Sequence, residues 1–239
     1  FKKLSLELGG KNPNIIFADC DYEKMLTTTI KSSFSNQGQI CLCGSRIFVE
    51  ASIYEQFKID FIKRVQQLII GQPSYKSTQV GALVSKTHFE KVQLYIEGID
   101  NKQSRLLCGG NRIHIEGFEN GYYLSPTVIE VNSNSCKLNQ EEIFGPVVTL
   151  MSFTSDAQVL AMANDVKYGL SATVWTTNLK RSLMFSEKLE TGIVWVNTWM
   201  QRDLRTPFGG VKSSGVGREG GFEVLRFFTE TKNICINYE

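Results

Sequence analysis

An α/β chain built on a mainly parallel, helix-covered sheet is what the sequence predicts, from three observations. Short apolar runs alternate with segments of helical period, capping residues stand where those segments begin, and 42% hydrophobic content supplies a substantial core. At 239 residues the chain should be globular, removing roughly 70% of its unfolded surface from water. In chain order, Asn14 to Phe17 is an apolar run after a Gly-Gly turn, and Asp21 N-caps a helix running to about Asn36 that Gly38 ends. Arg46 to Glu50 reads as a strand. Ser52 with Glu55 forms a capping box for a helix ending before Gly71, and another helix spans Ser85 to about Gly98. Asn101 to Glu141, with Gly109-Gly110, Gly121 and Pro126, reads as loops, short strands and a surface excursion. Val147 to Phe153 is strand-like, and Ser155 with Gln158 caps a helix carrying Val159, Leu160 and Ala163 on one face. Leu170 to Trp175, Asn178 to Leu189 and Gly192 to Asn197 then read strand, helix, strand, an alternation that calls for right-handed crossovers. Glycine is dense from Thr206 to Gly221, where the backbone must turn sharply or approach something closely. The tail, Phe227 to Tyr238, alternates strand formers and suits an edge strand.

The 26 basic and 24 acidic residues are interspersed and sum to +2, far from the concentrated basic field that phosphate backbones select, so nucleic acid is not an expected partner. No apolar run approaches the roughly 20 residues that cross a bilayer, so no membrane association is expected. Cys20, Cys41, Cys43, Cys108, Cys136 and Cys235 are scattered through a chain that needs no disulfide scaffold; read as reduced, they point to the cytoplasm. With only His88 and His114 available, Cys41 and Cys43 make a poor zinc site, and no metal is expected. Phe1 opens directly onto Lys2 and Lys3 with no secretory hydrophobic region behind them; lacking an initial methionine, the chain reads as a fragment missing its N-terminal part.

Phe34-Ser35-Asn36-Gln37-Gly38-Gln39-Ile40-Cys41 sets a cysteine just beyond a helix end and a glycine turn, where a thiol can be exposed while its flanks hold it. Taken alone, the commoner reading is a small buried hydrophobe. Cys43 is the rival nucleophile. If the segment is extended, the two side chains point to opposite faces and only one addresses the pocket. Leu6-Glu7-Leu8-Gly9-Gly10-Lys11 sets one carboxylate among apolar neighbours before a Gly-Gly turn. A desolvated glutamate has the raised pKa that suits a general base; a strand-end charge is the plain alternative.

Four signatures in order carry a resemblance: these two segments, Glu142-Ile143-Phe144-Gly145-Pro146, and a glycine-rich C-terminal series. That series comprises Asn197, Pro207-Phe208-Gly209-Gly210, Lys212, Ser214-Gly215 and Gly217-Arg218-Glu219. Together they closely resemble the aldehyde dehydrogenase superfamily over essentially the whole chain. The resemblance implies the family's catalytic domain over 11–225, the end of an NAD-binding domain over 1–10, and an oligomerisation strand over 226–239 in a homodimer or homotetramer. It implies oxidation of an aldehyde with NAD or NADP. Cys41 adds as thiolate, donors including its backbone N–H hold the oxyanion, hydride loss leaves a thioester, and Glu7 activates the hydrolytic water. Family spacing from Gly38-Gln39 favours Cys41 over Cys43. Glu219 resembles a second family glutamate near the water path, or else is a surface charge beside Arg218. Glu142, Phe144, Leu8 and Gly9 would contact the cofactor.

Family members resemble this chain only over their C-terminal half. Their dinucleotide-binding fold, phosphate-binding lysine and oxyanion asparagine lie in the other half, and no G-x-G-x-x-G opens a helix here, so the isolated chain is expected to show little or no turnover. Trp199 to Phe208 falls along the family's aldehyde tunnel, and Arg-Asp-Leu-Arg at 202–205 resembles the 2-aminomuconate and 2-hydroxymuconate semialdehyde dehydrogenases, whose substrates carry a distal carboxylate. Arg202 is expected to anchor that carboxylate with Arg205 assisting and Phe208 lining the site; an Arg202 to Asp203 surface ion pair is the alternative. Rival readings are a general or betaine-type aldehyde dehydrogenase, a catalytically silent structural relative, and a cofactor-independent thiol esterase using Cys41 and Glu7.

Overall fold

The computed structural model describes residues 1–100 and 102–239; Asn101, which opens the stretch expected to be irregular, lies outside them. The first half runs β1 (Leu6–Glu7), β2 (Pro13–Ile16), α1 (Tyr22–Phe34), β3 (Arg46–Glu50), α2 (Tyr54–Gln66), α3 (Lys86–Glu97), β4 (Ser104–Cys108), β5 (Arg112–Ile113) and β6 (Tyr123–Leu124). Then follow β7 (Thr127–Val131), α4 (Lys137–Gln140), β8 (Val147–Phe153), α5 (Asp156–Asn164), β9 (Tyr168–Gly169), β10 (Ser171–Trp175) and α6 (Leu179–Lys188). The chain closes with β11 (Ile193–Val196), β12 (Val211–Lys212), β13 (Gly215–Val216) and α7 (Gly221–Phe228).

Seven strands form one sheet in the order β11-β10-β2-β3-β8-β7-β4, parallel except for β4, which pairs antiparallel with β7 at the edge. Successive side chains point to opposite faces, so Ile15 and Ile16, or Phe48 and Ile47, enter different cores. On one face α1 and α2 pack through Met25, Phe34, Phe57 and Phe61; on the other α5 and α6 pack through Val159, Ala163 and Phe185. Phe89 and Val92 of α3 cover the β7–β8 side. Ser155 caps α5 as expected, its Oγ accepting the Gln158 N–H at 3.2 Å. The six cysteines are free thiols. Among the described residues no helix is long and apolar enough to cross a membrane, and no acidic, histidine or cysteine cluster could hold a metal.

Four local expectations need correction. α1 stops at Phe34, because Asn36, Gln37 and Gly38 all adopt left-handed backbone (φ 50°, 56° and 69°) in the 3-10 turn Ser35–Gly38. Ser52 builds no capping box: Ala51–Ile53 is already a 3-10 turn, the Ser52 hydroxyl donates to Glu50, and Glu55 pairs with Lys58. The stretch before Glu141 is more than a surface excursion, since β7 and β4 extend the main sheet and Val128 and Ile129 are fully buried. The tail is not a strand from Phe227. α7 runs to Phe228, and residues 230–239 are irregular and exposed and pair with no strand among the described residues.

Candidate active site

The segments that enter the central parallel strands gather at one end of the sheet. Gly9-Gly10 leads into β2, the Cys41 loop into β3, and Glu142 to Pro146 into β8. Open parallel sheets usually bind ligands at strand carboxyl ends. Here the candidate residues converge at amino ends, because glycines let three loops touch. A Cβ on Gly38 would lie 2.1 Å from the Gly145 carbonyl oxygen, one on Gly10 2.6 Å from that of Cys41, and one on Gly9 2.1 Å from a Glu142 carboxylate oxygen.

Left-handed backbone at 36–38 carries the chain off α1 toward Cys41, and two glutamines strap the loop to residues 81–84. Gln37 Nε2 donates to the Ala82 carbonyl at 3.1 Å and its Oε1 accepts the Gly81 N–H at 3.2 Å; Gln39 Oε1 accepts the Val84 N–H at 3.2 Å. Cys43 is buried, which pushes its thiol up to about 12, whereas Cys41 is half-buried. Of the two, Cys41 is the one open to a reactant. Burial, then the Glu142 and Glu7 carboxylates, hold the Cys41 thiol above its ordinary value, and Arg202 opposes them. Glu7 lies on β1, whose antiparallel pairing with β13 brings it to the glycine-rich segment. Burial and the Glu219 carboxylate raise the Glu7 pKa, against the Gly210 amide, Arg218 and Arg202. Glu219 itself is exposed and exchanges backbone hydrogen bonds with Phe208 at 2.7 and 2.6 Å.

Glu142 accepts the Gly10 N–H at 2.9 Å. Phe144 is left-handed (φ 62°), a strained state for a bulky residue, and His88 secures it: Nε2–H donates to the Phe144 carbonyl at 2.6 Å and the rings meet edge to face. Leu8 is exposed beside Gly9, its N–H donating to the Ser214 carbonyl at 3.0 Å. A cavity of about 130 Å³ is walled by Trp195, Gln201, Arg202, Phe208 and Glu219, and Phe208 joins it to the apolar cluster around Cys41 and Trp199. Arg202 Cζ lies 4.0 Å from the Phe208 ring centroid. Arg205, expected to assist Arg202, does not line that cavity; it is exposed and grips Asp203 through both carboxylate oxygens. The same grip takes the acid the sequence offered to Arg202, and among the described residues Arg202 has no ion pair.

Sequence reasoning missed Asn12, Trp199, His88, Lys11 and Arg46. Asn12 Nδ2 donates to the Cys41 and Cys43 carbonyls at 2.7 and 2.8 Å, its Oδ1 accepts the Ser171 N–H at 3.1 Å, and Trp199 Nε1–H donates to the Leu42 carbonyl at 2.9 Å. Arg46, fully buried, donates to the carbonyls of Lys11, Met162 and Ala163 at 2.8, 3.0 and 2.8 Å, tying the end of α5 to the entry of β2. Lys11 is buried with no hydrogen-bond partner for Nζ among the described residues, and burial followed by Arg46 brings its pKa down to about 7. The signal available was a polar residue directly bordering an apolar strand, where it must find an internal partner.

The profile described as aldehyde dehydrogenase family matches residues 1–234. The chain belongs to the aldehyde dehydrogenase family. It is 47% identical over 246 residues to the 2-aminomuconic semialdehyde dehydrogenase of Danio rerio, an alignment covering 99% of this chain and 49% of that protein. With the 2-aminomuconic 6-semialdehyde dehydrogenase of Pseudomonas sp it shares 44% identity, covering 100% of this chain and 49% of that one. The chain therefore spans about half the length of the curated relatives it matches. Among solved aldehyde dehydrogenase structures, betaine aldehyde dehydrogenase from Staphylococcus aureus in complex with NAD+ superposes with a TM-score of 0.91 at 34% identity, covering 98% of this chain and 48% of that one. HpcC from Thermus thermophilus superposes with a TM-score of 0.92 at 38% identity, covering 100% and 48%. The helix-covered sheet is thus the aldehyde dehydrogenase fold over this half.

Proposed function

We propose that this chain is the catalytic half of an NAD-dependent aldehyde dehydrogenase acting on an aldehyde with a distal carboxylate. The observation that carries the chemistry is a half-buried Cys41 influenced by the Glu7 and Glu142 carboxylates where three glycine-tight loops meet. A nicotinamide dinucleotide suits the donor set: Glu142 would take ribose hydroxyls, with Leu8, Gly9 and Phe144 beside it, and glycine at 9 leaves no Cβ against that carboxylate. When bound, it supplies the hydride acceptor. The NAD+ complex of the Staphylococcus aureus relative supports this choice.

The Cys41 thiolate adds to the aldehyde carbon, forming a C–S bond and an oxyanion that the Cys41 N–H stabilises. Hydride loss from that carbon restores the carbonyl as a thioester. Glu7 takes a proton from water, the water oxygen attacks the thioester, and Cys41 leaves as thiolate with the carboxylic acid released. A glutamate whose pKa is raised by burial and by Glu219 suits a base that works near neutral pH. Cys41→Ser in the complete polypeptide should abolish NAD reduction; retained turnover would remove the thiol from the mechanism.

Arg202 reads the distal carboxylate. It lies on Phe208 in the cavity wall with no ion pair among the described residues, ready for a bidentate contact, and a quaternary ammonium substrate would meet like charge there. The relatives named for 2-aminomuconic semialdehyde support the same reading. Arg202→Ala should raise KM for a carboxylated semialdehyde roughly 30-fold, the effect of truncating one partner of a charge pair, while sparing an uncharged aldehyde. Equal losses on both substrates would reject the anchor. We also propose that residues 1–10 close a cofactor-binding domain, 11–225 form the catalytic domain, and 226–239 pair with another subunit. Deleting residues 230–239 should lower the sedimenting mass; an unchanged assembly would reject that last part.

A further inference from the structure

Two aromatic residues hold Arg202 at its two ends. At the backbone end, Trp195 Nε1–H donates to the Gln201 carbonyl at 3.0 Å. That carbonyl lies in the peptide plane that ends at the Arg202 Cα, so the bond fixes where the arginine side chain leaves the main chain. The bond closes a tight turn in which Met200 is left-handed (φ 59°), a state that persists only where surrounding contacts determine it. Beyond Arg202 the chain is fixed again, the Thr206 N–H donating to the Asp203 carbonyl at 3.0 Å. Trp195 is itself rigid. It lies on β11 in register with Thr173 of β10, and it is buried with Leu42 and Trp199 in the cluster against which Cys41 packs. At the far end, the Arg202 Cζ sits 4.0 Å from the Phe208 ring centroid, well within cation–π range, and Phe208 is pinned by its paired backbone hydrogen bonds with Glu219. Trp195, Arg202 and Phe208 all line the cavity of about 130 Å³. A free arginine side chain gives up much rotamer freedom when it captures a ligand, and one held in advance gives up less.

We propose that Trp195 and Phe208 are positioning residues that determine substrate preference by holding Arg202 ready for the distal carboxylate, Trp195 through the Gln201–Arg202 peptide and Phe208 through the guanidinium. The proposal rests on Arg202 being the carboxylate anchor and concerns how that anchor is held. The test uses Trp195→Phe, which removes the indole N–H and keeps an aromatic ring, and Phe208→Leu, which releases the guanidinium and stands alone should the first fail to fold. Each is made in the complete polypeptide, alone and combined with Arg202→Ala, and assayed with a carboxylated semialdehyde and an uncharged aldehyde of similar length. Loss of the hold should raise KM for the carboxylated substrate by about 3- to 10-fold relative to the uncharged one, the cost of ordering one long side chain on binding. Combined with Arg202→Ala, the same substitutions should change that KM ratio by less than about twofold, because the side chain they hold is gone. A KM ratio unchanged in either folded variant, an equal loss on both substrates, or a full effect persisting on Arg202→Ala overturns the proposal. The equal loss would mark Trp195 and Phe208 as plain cavity wall, and the persisting effect would mark a direct contact with substrate. Equal losses on both substrates in Arg202→Ala alone would instead refute the anchor and are read separately.

Discussion

Cys41 sits among more negative than positive charge: Glu142 and Glu7 both oppose its ionisation, while its own backbone N–H and then Arg202 favour it. In Glu142→Gln one opposing carboxylate is gone, the thiol pKa falls, and the thiolate fraction at pH 7 rises, so cofactor-free alkylation of Cys41 should accelerate; an unchanged or slower rate contradicts this electrostatic picture. Lys11 gives a second titration. Its pKa is about 7 in the folded chain against 10.5 ordinarily. Between those values the unfolded state binds a proton that the folded state does not, so stability should rise with pH from about 7 to 10.5. Urea unfolding of Lys11→Met across that range should lack this rise; the same slope in both proteins would refute it. Glu7 and Cys41 could be singled out as candidates in the sequence because each stands in a motif with its own chemistry. Lys11, which ends the Glu7 motif, and Asn12, which follows it, were passed over, because the residues they bond lie 29 or more residues away.

Helix starts were legible where one side chain completes the local hydrogen bonding, as Asp21, Ser85, Ser155 and Asn178 do for the amide three residues on. The end of α1 was not, because the left-handed run at Asn36 and Gln37 is held by contacts to Gly81 and Ala82 across the fold. β7 and β4 were obscured by the glycines and proline around them, and only pairing with β8 makes them part of the sheet. At this scale Arg46 is the joint. Its three hydrogen bonds satisfy carbonyls of two elements, and Arg46→Met should cost about 2–4 kcal/mol by leaving buried acceptors unpaired. A chemical-denaturation midpoint equal to the parent's would show that the joint carries no stability. Gly38→Ala should lose activity beyond any loss of stability, because a methyl there meets the Gly145 carbonyl, inside the segment proposed to contact the cofactor.

Across the whole molecule, the order of motifs along the chain revealed the family, but the meeting of loops at the amino ends of β2, β3 and β8 depends on glycine approaches between segments far apart in sequence, such as Gly9 with Glu142. The chain also displays apolar groups that a finished surface seldom shows: Phe222, Leu225 and Phe228 on α7, Ile234, Ile236 and Tyr238 in the tail, and Leu4 and Leu8 near the start. With half the length of its relatives, the isolated chain should self-associate, bind a hydrophobic dye and turn over little aldehyde; a monomeric, dye-silent and active 239-residue chain would contradict this. The covalent step itself can be caught by mixing the complete polypeptide with NAD and a carboxylated semialdehyde, quenching in acid during turnover, and mapping the acylated peptide by mass spectrometry. An acyl group of the substrate's mass should sit on the sulfur of Cys41; its appearance on Cys43, or turnover with no acylated cysteine, would contradict the thioester route through Cys41.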